Sequence, residues 1–454
     1  MKHSADELKQ WQMLPLEIKE RMSLTRIIGW IHEYGVEGVY EAFSGGKDST
    51  VLSDLIHRAL TQLGYEDVVP RVYSNTGLEW PSVRLFAQKH PNVVTIRPSK
   101  TFREVIIQCG YPIIGKEVSE CIYSARKFID KLVKDNKILT DRQTDRQTDR
   151  QTDRQTEIIC AYAIADLLGI ERRNKADRKV YEQLKKGIIP NNLSYKHGLP
   201  VRLLQILGKV PHTEAGVQTN EFSKMYDKSK WIWLLDAPFK ISNQCCNVMK
   251  KSPMHHYQTE TGRNPFVGTM AEESRLRKSQ WIKFGCNMFD AKYPISKPLS
   301  FWTEQDILQY IKKYNLEIAE AYGEIRVKTK GEAEGQLTIQ EVLQDYRECE
   351  LETTKETRTG CIFCMFGIMS DKERFKRLAQ DEPKLCDFVM RGGAFNGENW
   401  EPTNEGLGYW FVIEWLNING NCGIYIPDRE RYIKEYSTPE TRKILKLTQA
   451  AEVE

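Results

Sequence analysis

The segment from Phe43 to Ser49 has the residue types of an anion-binding turn. It reads Phe-Ser-Gly-Gly-Lys-Asp-Ser, follows an apolar stretch at 38–43 and precedes a helical pattern that begins near Val51. Backbone N–H groups and the helix dipole attract anions at a helix N-terminus, and glycine lets the backbone approach a phosphate closely. The residues expected to bind a phosphate are Ser44, Gly45, Gly46, Lys47, Asp48 and Ser49.

The two charged residues of this turn predict different contacts. Lys47 brings a positive charge to the phosphate. The Asp48 carboxylate would repel a bare phosphate, so we expect it to bind Mg²⁺ or to cap the helix. The spacing differs from the Walker pattern, which has four residues between its first glycine and its Gly-Lys pair. The alternative is a tight strand-to-helix turn in which the glycines only relieve strain.

Four of the eleven cysteines form a second reactive set. Cys245 and Cys246 are adjacent, and a C-x-x-C motif, Cys361 and Cys364, begins 115 positions after Cys246. Thiolates bind zinc or iron–sulfur clusters, and four of them complete either ligand set. Adjacent cysteines fit one small tetrahedral ion poorly, whereas a larger cluster lets neighbouring thiolates bind different irons. Zinc and unligated thiols remain as alternatives.

Both sets of residues resemble motifs of a known family. The turn at 44–49 resembles the pyrophosphate loop of the superfamily that contains the ATP pyrophosphatases and phosphoadenosine-phosphosulfate (PAPS) reductases. The cysteines resemble the [4Fe–4S] signature of its cluster-bearing branch, the assimilatory adenylylsulfate reductases, and are similar also to the DNA phosphorothioation sulfurtransferase. The resemblance implies an ATP or adenylylsulfate-type nucleotide with Mg²⁺ at the loop. It also implies a [4Fe–4S] cluster on Cys245, Cys246, Cys361 and Cys364.

Three further segments are similar to motifs of this family and follow in the same order. Residues 74–81 resemble its Asp-Thr-Gly nucleotide contact, residues 268–277 its Gly-x-Arg-x-x-Glu-Ser-x-x-Arg segment, and residues 298–303 its Asn-Pro-Leu…Trp segment. Asn75 stands in place of the usual Asp, and Met270 in place of the usual basic residue. The nucleotide contacts that the resemblance implies are Asn75, Thr76, Gly77, Glu273, Ser274 and Arg275.

The C-terminal region departs from the reductases, which end in Glu-Cys-Gly-(Ile/Leu)-His with a cysteine that attacks the substrate sulfur. The nearest match here is Asn-Cys-Gly-Ile-Tyr at 421–425, which lacks the acid and the histidine. Cys422 is therefore a candidate catalytic nucleophile, and the alternative is an ordinary buried cysteine.

The elements around these motifs predict an α/β fold. The capping-box pattern at 303–306 predicts the start of a helix. Strands are expected at 38–43, 68–73, 92–96 and 265–269, with helices at 81–90 and 101–108. This alternation is typical of a parallel sheet with helices on both faces, which binds ligands beyond the carboxyl ends of its strands. We predict a doubly wound, mostly parallel sheet, similar to that of the adenine nucleotide alpha-hydrolases, with a helical insertion and a small α+β C-terminal region.

The chain divides into five expected segments: N-terminal helices at 1–37, a nucleotide-binding half at 38–135, a linker and basic helical insertion at 136–230, the second half at 231–368, and a C-terminal region at 369–454. In the last segment we expect a helix around 371–390 and strands near 409–416 and 423–426.

The insertion contains two polar stretches. Asp-Arg-Gln-Thr occurs four times at 141–156 and offers no apolar residue for burial, so we interpret it as a solvated linker. Residues 157–230 contain 13 Lys and Arg against 8 Asp and Glu. Nucleic-acid binding through 172–186 is therefore one possibility, and a solvated helix face is the other.

Composition and charge also bear on the class of protein and its partners. The net charge of +4 over 454 residues does not by itself indicate nucleic-acid binding. The sequence has neither a signal-peptide pattern nor an apolar run long enough for a membrane helix, so we expect a cytoplasmic protein without a membrane partner.

Three functions follow as hypotheses. The first is ATP-dependent activation of an acceptor followed by sulfur transfer from a sulfur donor. The second is reduction of adenylylsulfate or PAPS to sulfite, with Cys422 as nucleophile and a thioredoxin-like protein as reductant. The third is a nucleotide- or redox-sensing regulator that is not an enzyme.

Overall fold

The computed structural model describes residues 3–134, 201–208, 210–214, 217–328 and 349–447. The chain forms two compact units: one comprises Met1–Phe102 and Cys246–Phe363, and the other comprises Arg103–Cys245 and Cys364–Glu454. The expected N-terminal helices at 1–37 therefore share a unit with residues from both predicted nucleotide-binding halves. The repeat at 141–156 and the basic stretch at 172–186 lie outside the described residues.

The first unit is built on a six-stranded sheet. Its strands are β1 (Val39–Phe43), β2 (Arg71–Ser74), β3 (Val93–Ile96), β4 (Asn264–Phe266), β5 (Asn287–Met288) and β6 (Ile295–Ser296). Their spatial order is β3-β2-β1-β4-β6-β5, and every neighbouring pair is parallel except β5 with β6. The prediction of a mostly parallel sheet is confirmed.

Helices cover both faces of this sheet. The α-helices described in the unit are α1 (Ala5–Gln12), α2 (Leu16–Tyr34), α3 (Lys47–Gln62), α4 (Pro81–Lys89), α5 (Ser252–Thr261), α6 (Arg275–Phe284) and α7 (Glu304–Tyr314). Val39 is buried in one apolar core with residues of α2, α3 and α7. The side chain of Tyr40 points to the opposite face, because side chains alternate along a strand, and its ring lies 5.0 Å from that of Tyr257 on α5. The sheet is therefore doubly wound, as predicted.

The strand order reverses at β1. The chain runs outward from β1 through β2 to β3 and then returns to place β4 on the other side of β1. At such a reversal the connections that follow the two central strands diverge and leave a crevice beyond their carboxyl ends. The turn after Phe43 and the segment after Phe266 flank that point.

A buried arginine faces the acidic residue in the central strand. Glu41 on β1 is the register partner of Arg71 on β2, and the Arg71 Nε lies 3.6 Å from the Glu41 carboxylate. Arg71 also donates to Ser53 on α3 and forms an ion pair of 2.7 Å with Asp67. Burial raises the pKa of Glu41 to about 8, against the opposing effect of Arg71.

A second buried ion pair joins α2 to α7. The Lys19 ammonium is 2 % exposed and donates to both carboxylate oxygens of Asp306, at 2.8 and 2.6 Å, and to the carbonyl of Gln12. Asp306 also accepts from the backbone N–H of Thr303 and completes the capping box that the sequence predicts at 303–306. One carboxylate thus begins α7 and holds it to α2.

The second unit is mainly helical. Its described elements include the helices Lys116–Lys134, Val201–Ile206, Arg374–Asp381, Pro383–Met390, Tyr409–Gly420, Arg429–Tyr436 and Pro439–Ile444, and short strand pairs such as Ala394–Phe395 with Trp400–Glu401. Arg126 donates to the carbonyl oxygens of Leu234, Leu235, Ala237 and Phe239. These four bonds attach the apolar stretch at 231–239 to the helix that contains Arg126.

Both strands predicted near the C-terminus are wrong. Residues 409–416 belong to a helix whose side chains from Tyr409 to Leu416 are all buried, and an apolar run buried on every side has no periodicity that separates strand from helix. Residues 423–426 form no strand, because the Asn417 side-chain amide bonds both the N–H and the C=O of Ile424 in place of a neighbouring strand. The helix expected at 371–390 is two helices, and the second begins at Pro383.

Among the described residues, no helix combines the length and hydrophobicity needed to cross a lipid bilayer.

The Lys19–Asp306 pair should be essential for stability. We expect Asp306→Asn to lower the free energy of unfolding by about 3–5 kcal/mol, because it leaves a buried ammonium without its counter-charge. Urea unfolding followed by circular dichroism measures this change. The matched control is Asp6→Asn, whose exposed carboxylate lies 4.0 Å from Lys9 and should cost less than about 0.5 kcal/mol. Equal losses in the two variants would contradict the assignment.

Candidate functional site

The turn after β1 requires its first glycine. Gly45 has φ +70°, and a Cβ atom there would lie 2.9 Å from both the Cβ of Ala87 and the carbonyl oxygen of Val83 on α4. Gly46 is the N-cap of α3 and provides no side chain to cap it. The turn therefore packs tightly against α4 and leaves backbone donors at the start of α3 for other partners.

Hydroxyl groups hold the turn in shape. The Ser44 N–H donates to the Ser49 Oγ at 3.3 Å, the Gly46 N–H donates to the Ser44 Oγ at 3.3 Å, and the Ser49 hydroxyl donates to the Gly46 carbonyl at 2.8 Å. Ser49 is buried and Ser44 is exposed. Ser44 is therefore the hydroxyl of this pair that a ligand reaches directly.

The Lys47 ammonium lies inside the site and is bound on several sides. The residue is 3 % exposed, and its Nζ lies 3.1 Å from the Thr357 carbonyl, 3.2 Å from Glu304 Oε1 and 3.6 Å from Asp48 Oδ1. Burial lowers the pKa of Lys47, but the charges of Asp48 and Glu304 and the Tyr322 side chain outweigh it and raise the pKa overall. Lys47 is therefore a charged group when a ligand arrives.

A tyrosine bonds the backbone at the start of α3. The Lys47 N–H donates to the Tyr322 hydroxyl at 3.1 Å, and that hydroxyl lies 2.6 Å from the Thr359 Oγ1. Thr359 is two residues before Cys361. The segment that leads into the C-x-x-C motif is thus connected by hydrogen bonds to the candidate phosphate loop.

Asp48 has an oxygen that fits a cation. Its Oδ1 is buried and has no hydrogen-bond partner among the described residues, and the nearest positive charge is the Lys47 ammonium. A carboxylate oxygen buried in this way is costly unless a cation or donor approaches it. Mg²⁺ in nucleotide sites uses one or two carboxylates together with phosphate oxygens, so Asp48 fits the expected role.

The segment after β4 lies against the loop. A Cβ atom on Gly268 would lie 3.0 Å from the Asp48 carbonyl oxygen. Glu273 accepts from the Met270 N–H at 2.9 Å and forms an ion pair with Arg277, and Ser274 caps α6 by accepting from the Arg277 N–H. Glu273 and Ser274 therefore organise the start of this helix.

The other two charged side chains of this segment differ in exposure. Arg275 is exposed. Burial and the nearby Arg358 lower the pKa of Arg277, and Asp48 opposes them. Arg277, which the sequence analysis did not select, is thus electrostatically closer to the loop than Arg275 is.

The predicted nucleotide contacts at 75–77 form a separate turn after β2. The Thr76 hydroxyl donates to Glu79 at 2.5 Å, and the Gly77 N–H donates to the Asn75 side chain at 3.2 Å. The Leu78 carbonyl accepts from the N–H of Ile362. This turn is therefore attached to the residue that follows Cys361.

Two of the four predicted cluster ligands belong to the first unit. They are Cys246 and Cys361, and both lie near the exposed Lys250, whose pKa is raised by Cys361 above all and also by Glu79 and Cys246. Cys245 and Cys364 belong to the second unit. Within the described ranges, no group of three or more His, Cys, Asp or Glu side chains has the arrangement of a metal site, so the cluster stays a prediction.

Cys422 is part of an apolar interior. It is 0 % exposed, and burial raises its pKa, against the weaker effect of Lys372. A nucleophilic cysteine reacts as an accessible thiolate, and burial opposes both conditions. Cys386 is also buried, and His255 and His256 are exposed.

Several site residues were missed by the sequence analysis. They are Glu304, Tyr322, Thr357, Thr359, Lys250 and Arg277. Glu304 was noticed only as part of the capping box at 303–306, and Arg277 only as the last residue of a motif. The other four carry no local pattern, because they reach the site through contacts between residues far apart in the chain.

Comparisons with known proteins support the resemblance over part of the chain. The family model described as the phosphoadenosine phosphosulfate reductase domain matches residues 201–364. This range contains the four cysteines and the segment at 268–277, and it does not include the loop at 44–49. The comparison with curated proteins found no match. Residues 201–364 are therefore similar to the phosphoadenosine phosphosulfate reductase domain.

Proposed function

We propose that this protein is an adenine-nucleotide-dependent enzyme of sulfur metabolism that activates an acceptor with ATP and then transfers sulfur to it. The match to the phosphoadenosine phosphosulfate reductase domain supports the chemical class. The phosphate loop after β1, at the reversal of strand order, supports binding of the nucleotide there.

One observation carries the choice of ATP. Lys47 and Asp48 place a buried ammonium and a carboxylate oxygen at the N-terminus of α3, directly after two glycines, and this oxygen has no hydrogen bond from the part of the chain that the structure describes. Departing pyrophosphate develops negative charge that such an ammonium stabilises. Bound Mg²⁺, held by Asp48, would neutralise further charge on the phosphates.

The proposed reaction has two steps. An oxygen of the acceptor attacks the α-phosphorus of ATP, the bond from that phosphorus to the β-phosphate oxygen breaks, and pyrophosphate leaves from the loop. A donor that supplies sulfur as hydrosulfide delivers the nucleophile, which attacks the adenylated carbon or phosphorus of the acceptor, and AMP leaves with the electrons of the broken bond. Lys47 and the N–H groups at the start of α3 bind the leaving pyrophosphate.

Other predicted contacts have supporting roles in this proposal. Ser44 and Ser49 shape the loop, and Ser44 also donates to a phosphate. The turn at Asn75, Thr76 and Gly77 contacts the nucleoside part of ATP. Glu273 and Ser274 fix the start of α6, and the exposed Arg275 contacts the acceptor or the nucleotide.

The four cysteines complete the proposal. Cys245, Cys246, Cys361 and Cys364 provide the thiolates for a [4Fe–4S] cluster, which would hold or position sulfur when bound. Lys250 lies near Cys246 and Cys361. Zinc is the alternative metal.

Reduction of adenylylsulfate or PAPS is the second candidate, because the matched family model is named for it. A Cys422 thiolate would attack the sulfate sulfur, the S–O bond to the nucleotide would break, and a thioredoxin-like protein would then reduce the S-sulfocysteine and release sulfite. The burial of Cys422 argues against this candidate.

The loop should bind ATP through Lys47. We expect Lys47→Met to weaken Mg²⁺–ATP binding at least about tenfold in isothermal titration calorimetry and to abolish pyrophosphate release, because the charge that faces the phosphates is lost. Lys9→Met removes the same charge from an exposed helix position and should bind ATP as the wild type does. Equal affinities for Lys47→Met and wild type would contradict the proposal.

The cluster predicts a defined metal content. Protein purified without oxygen should contain about four iron and four acid-labile sulfide per chain, and Cys361→Ser should lose most of both. Cys109→Ser, which changes a cysteine outside the predicted ligand set, should keep them. Zinc without sulfide in the wild type would refute the cluster.

The two reactions differ in their products. With ATP and candidate sulfur acceptors we expect pyrophosphate, and with adenylylsulfate plus thioredoxin we expect no sulfite. Sulfite that disappears in Cys422→Ser would favour the reductase instead. Sulfite that persists in Cys422→Ser would exclude Cys422 as its nucleophile.

A further inference from the structure

The binding partners of Lys47 already occupy the groups that a phosphate would need. Its ammonium contacts Glu304 Oε1 at 3.2 Å and the Thr357 carbonyl at 3.1 Å, and its backbone N–H donates to the Tyr322 hydroxyl. The ammonium has three N–H donors, so a phosphate oxygen that approaches it competes with Glu304 and the Thr357 carbonyl for them. Of these two acceptors, Glu304 carries a negative charge, as a phosphate does, and therefore competes most directly with a phosphate for the ammonium.

The backbone holds Glu304 firmly in this position. It is the first residue of α7, directly after the N-cap Thr303, and its N–H donates to a carboxylate oxygen of Glu272 at 2.6 Å. The capping box of Thr303 and Asp306 fixes the same turn, and the Lys19–Asp306 ion pair anchors it to α2. Glu304 therefore stays near the loop even after its carboxylate has released Lys47.

The local charges make a bare anion unfavourable. Asp48 and Glu304 both lie within 4 Å of the single Lys47 ammonium, at 3.6 and 3.2 Å. A polyphosphate that takes this ammonium adds its own negative charges beside two carboxylates, and like charges a few ångströms apart repel strongly near a protein surface. A divalent cation bound to the phosphates removes most of that repulsion.

We propose that Glu304 is a specificity-determining residue that occupies Lys47 in the ligand-free protein and restricts the loop to polyphosphates complexed with Mg²⁺. Glu304 competes with a phosphate for Lys47. A metal-free anion therefore binds more weakly, because it has to displace the Glu304 carboxylate and then remains close to that negative charge. The inference rests on the proposed function, because it concerns the ligand of the same loop.

Pyrophosphate is the probe that tests this role, titrated calorimetrically in EDTA and again with Mg²⁺. We expect Glu304→Gln to bind metal-free pyrophosphate roughly tenfold more tightly than wild type, because one competing charge is gone. The ratio between Mg²⁺-bound and metal-free affinity should fall by a similar factor. Adding Lys47→Met to Glu304→Gln should remove the gain, since the gain acts through Lys47.

The matched control removes an equal charge near the amino-terminal end of β1, the opposite end of that strand from the loop. Glu37 is exposed, lies directly before β1 and pairs with Arg263 at 3.3 Å, so Glu37→Gln should leave both affinities unchanged. If wild type binds pyrophosphate and Glu304→Gln binds the metal-free form no more tightly, the role of Glu304 is wrong while the proposed function stands. If neither protein binds pyrophosphate with or without Mg²⁺, both are wrong.

Discussion

The Lys47 ammonium is the contact on which the candidate site depends. A buried ammonium is stable only when acceptors surround it, and these acceptors come from parts of the chain far from Lys47 in sequence. Glu304 begins α7, Thr357 precedes the C-x-x-C motif, and Tyr322 adds its ring at 5.6 Å. The Lys47 ammonium therefore contacts three separate segments of the first unit at the start of α3.

The surrounding framework keeps that start in place. Gly45 allows the turn to pack against α4 in a backbone conformation that a larger residue would strain, and Gly268 brings the segment after β4 against Asp48. The ion pair between Lys19 and Asp306 fixes the beginning of α7, from which Glu304 reaches the loop. Glycines therefore provide the close approaches, and buried charges provide the alignment.

The first unit also connects its nucleotide and cysteine motifs. Thr359 reaches the loop through Tyr322, and the N–H of Ile362 bonds the turn that contains Asn75, Thr76 and Gly77. Cys361 lies between these two attachments. A change at the loop and a change at Cys361 therefore act on the same short segment.

The sequence by itself determined the mostly parallel α/β sheet and the strand–turn–helix unit around the Gly-Gly-Lys pattern, because both are signals carried by neighbouring residues. It also predicted the capping box at 303–306, where the pattern spans one turn. It failed at 409–416, since a helix buried on every side has no periodic pattern that separates it from a strand.

Only the tertiary structure decided what surrounds the candidate phosphate loop. Glu304, Tyr322 and Thr357 lie some 250 to 310 positions from Lys47, and no local pattern links residues at such separation. The same holds for the burial of Cys422, which depends on the packing of helices around it. Neighbouring residues determine the residue types of a motif, whereas the fold determines which distant segments contact a buried charge.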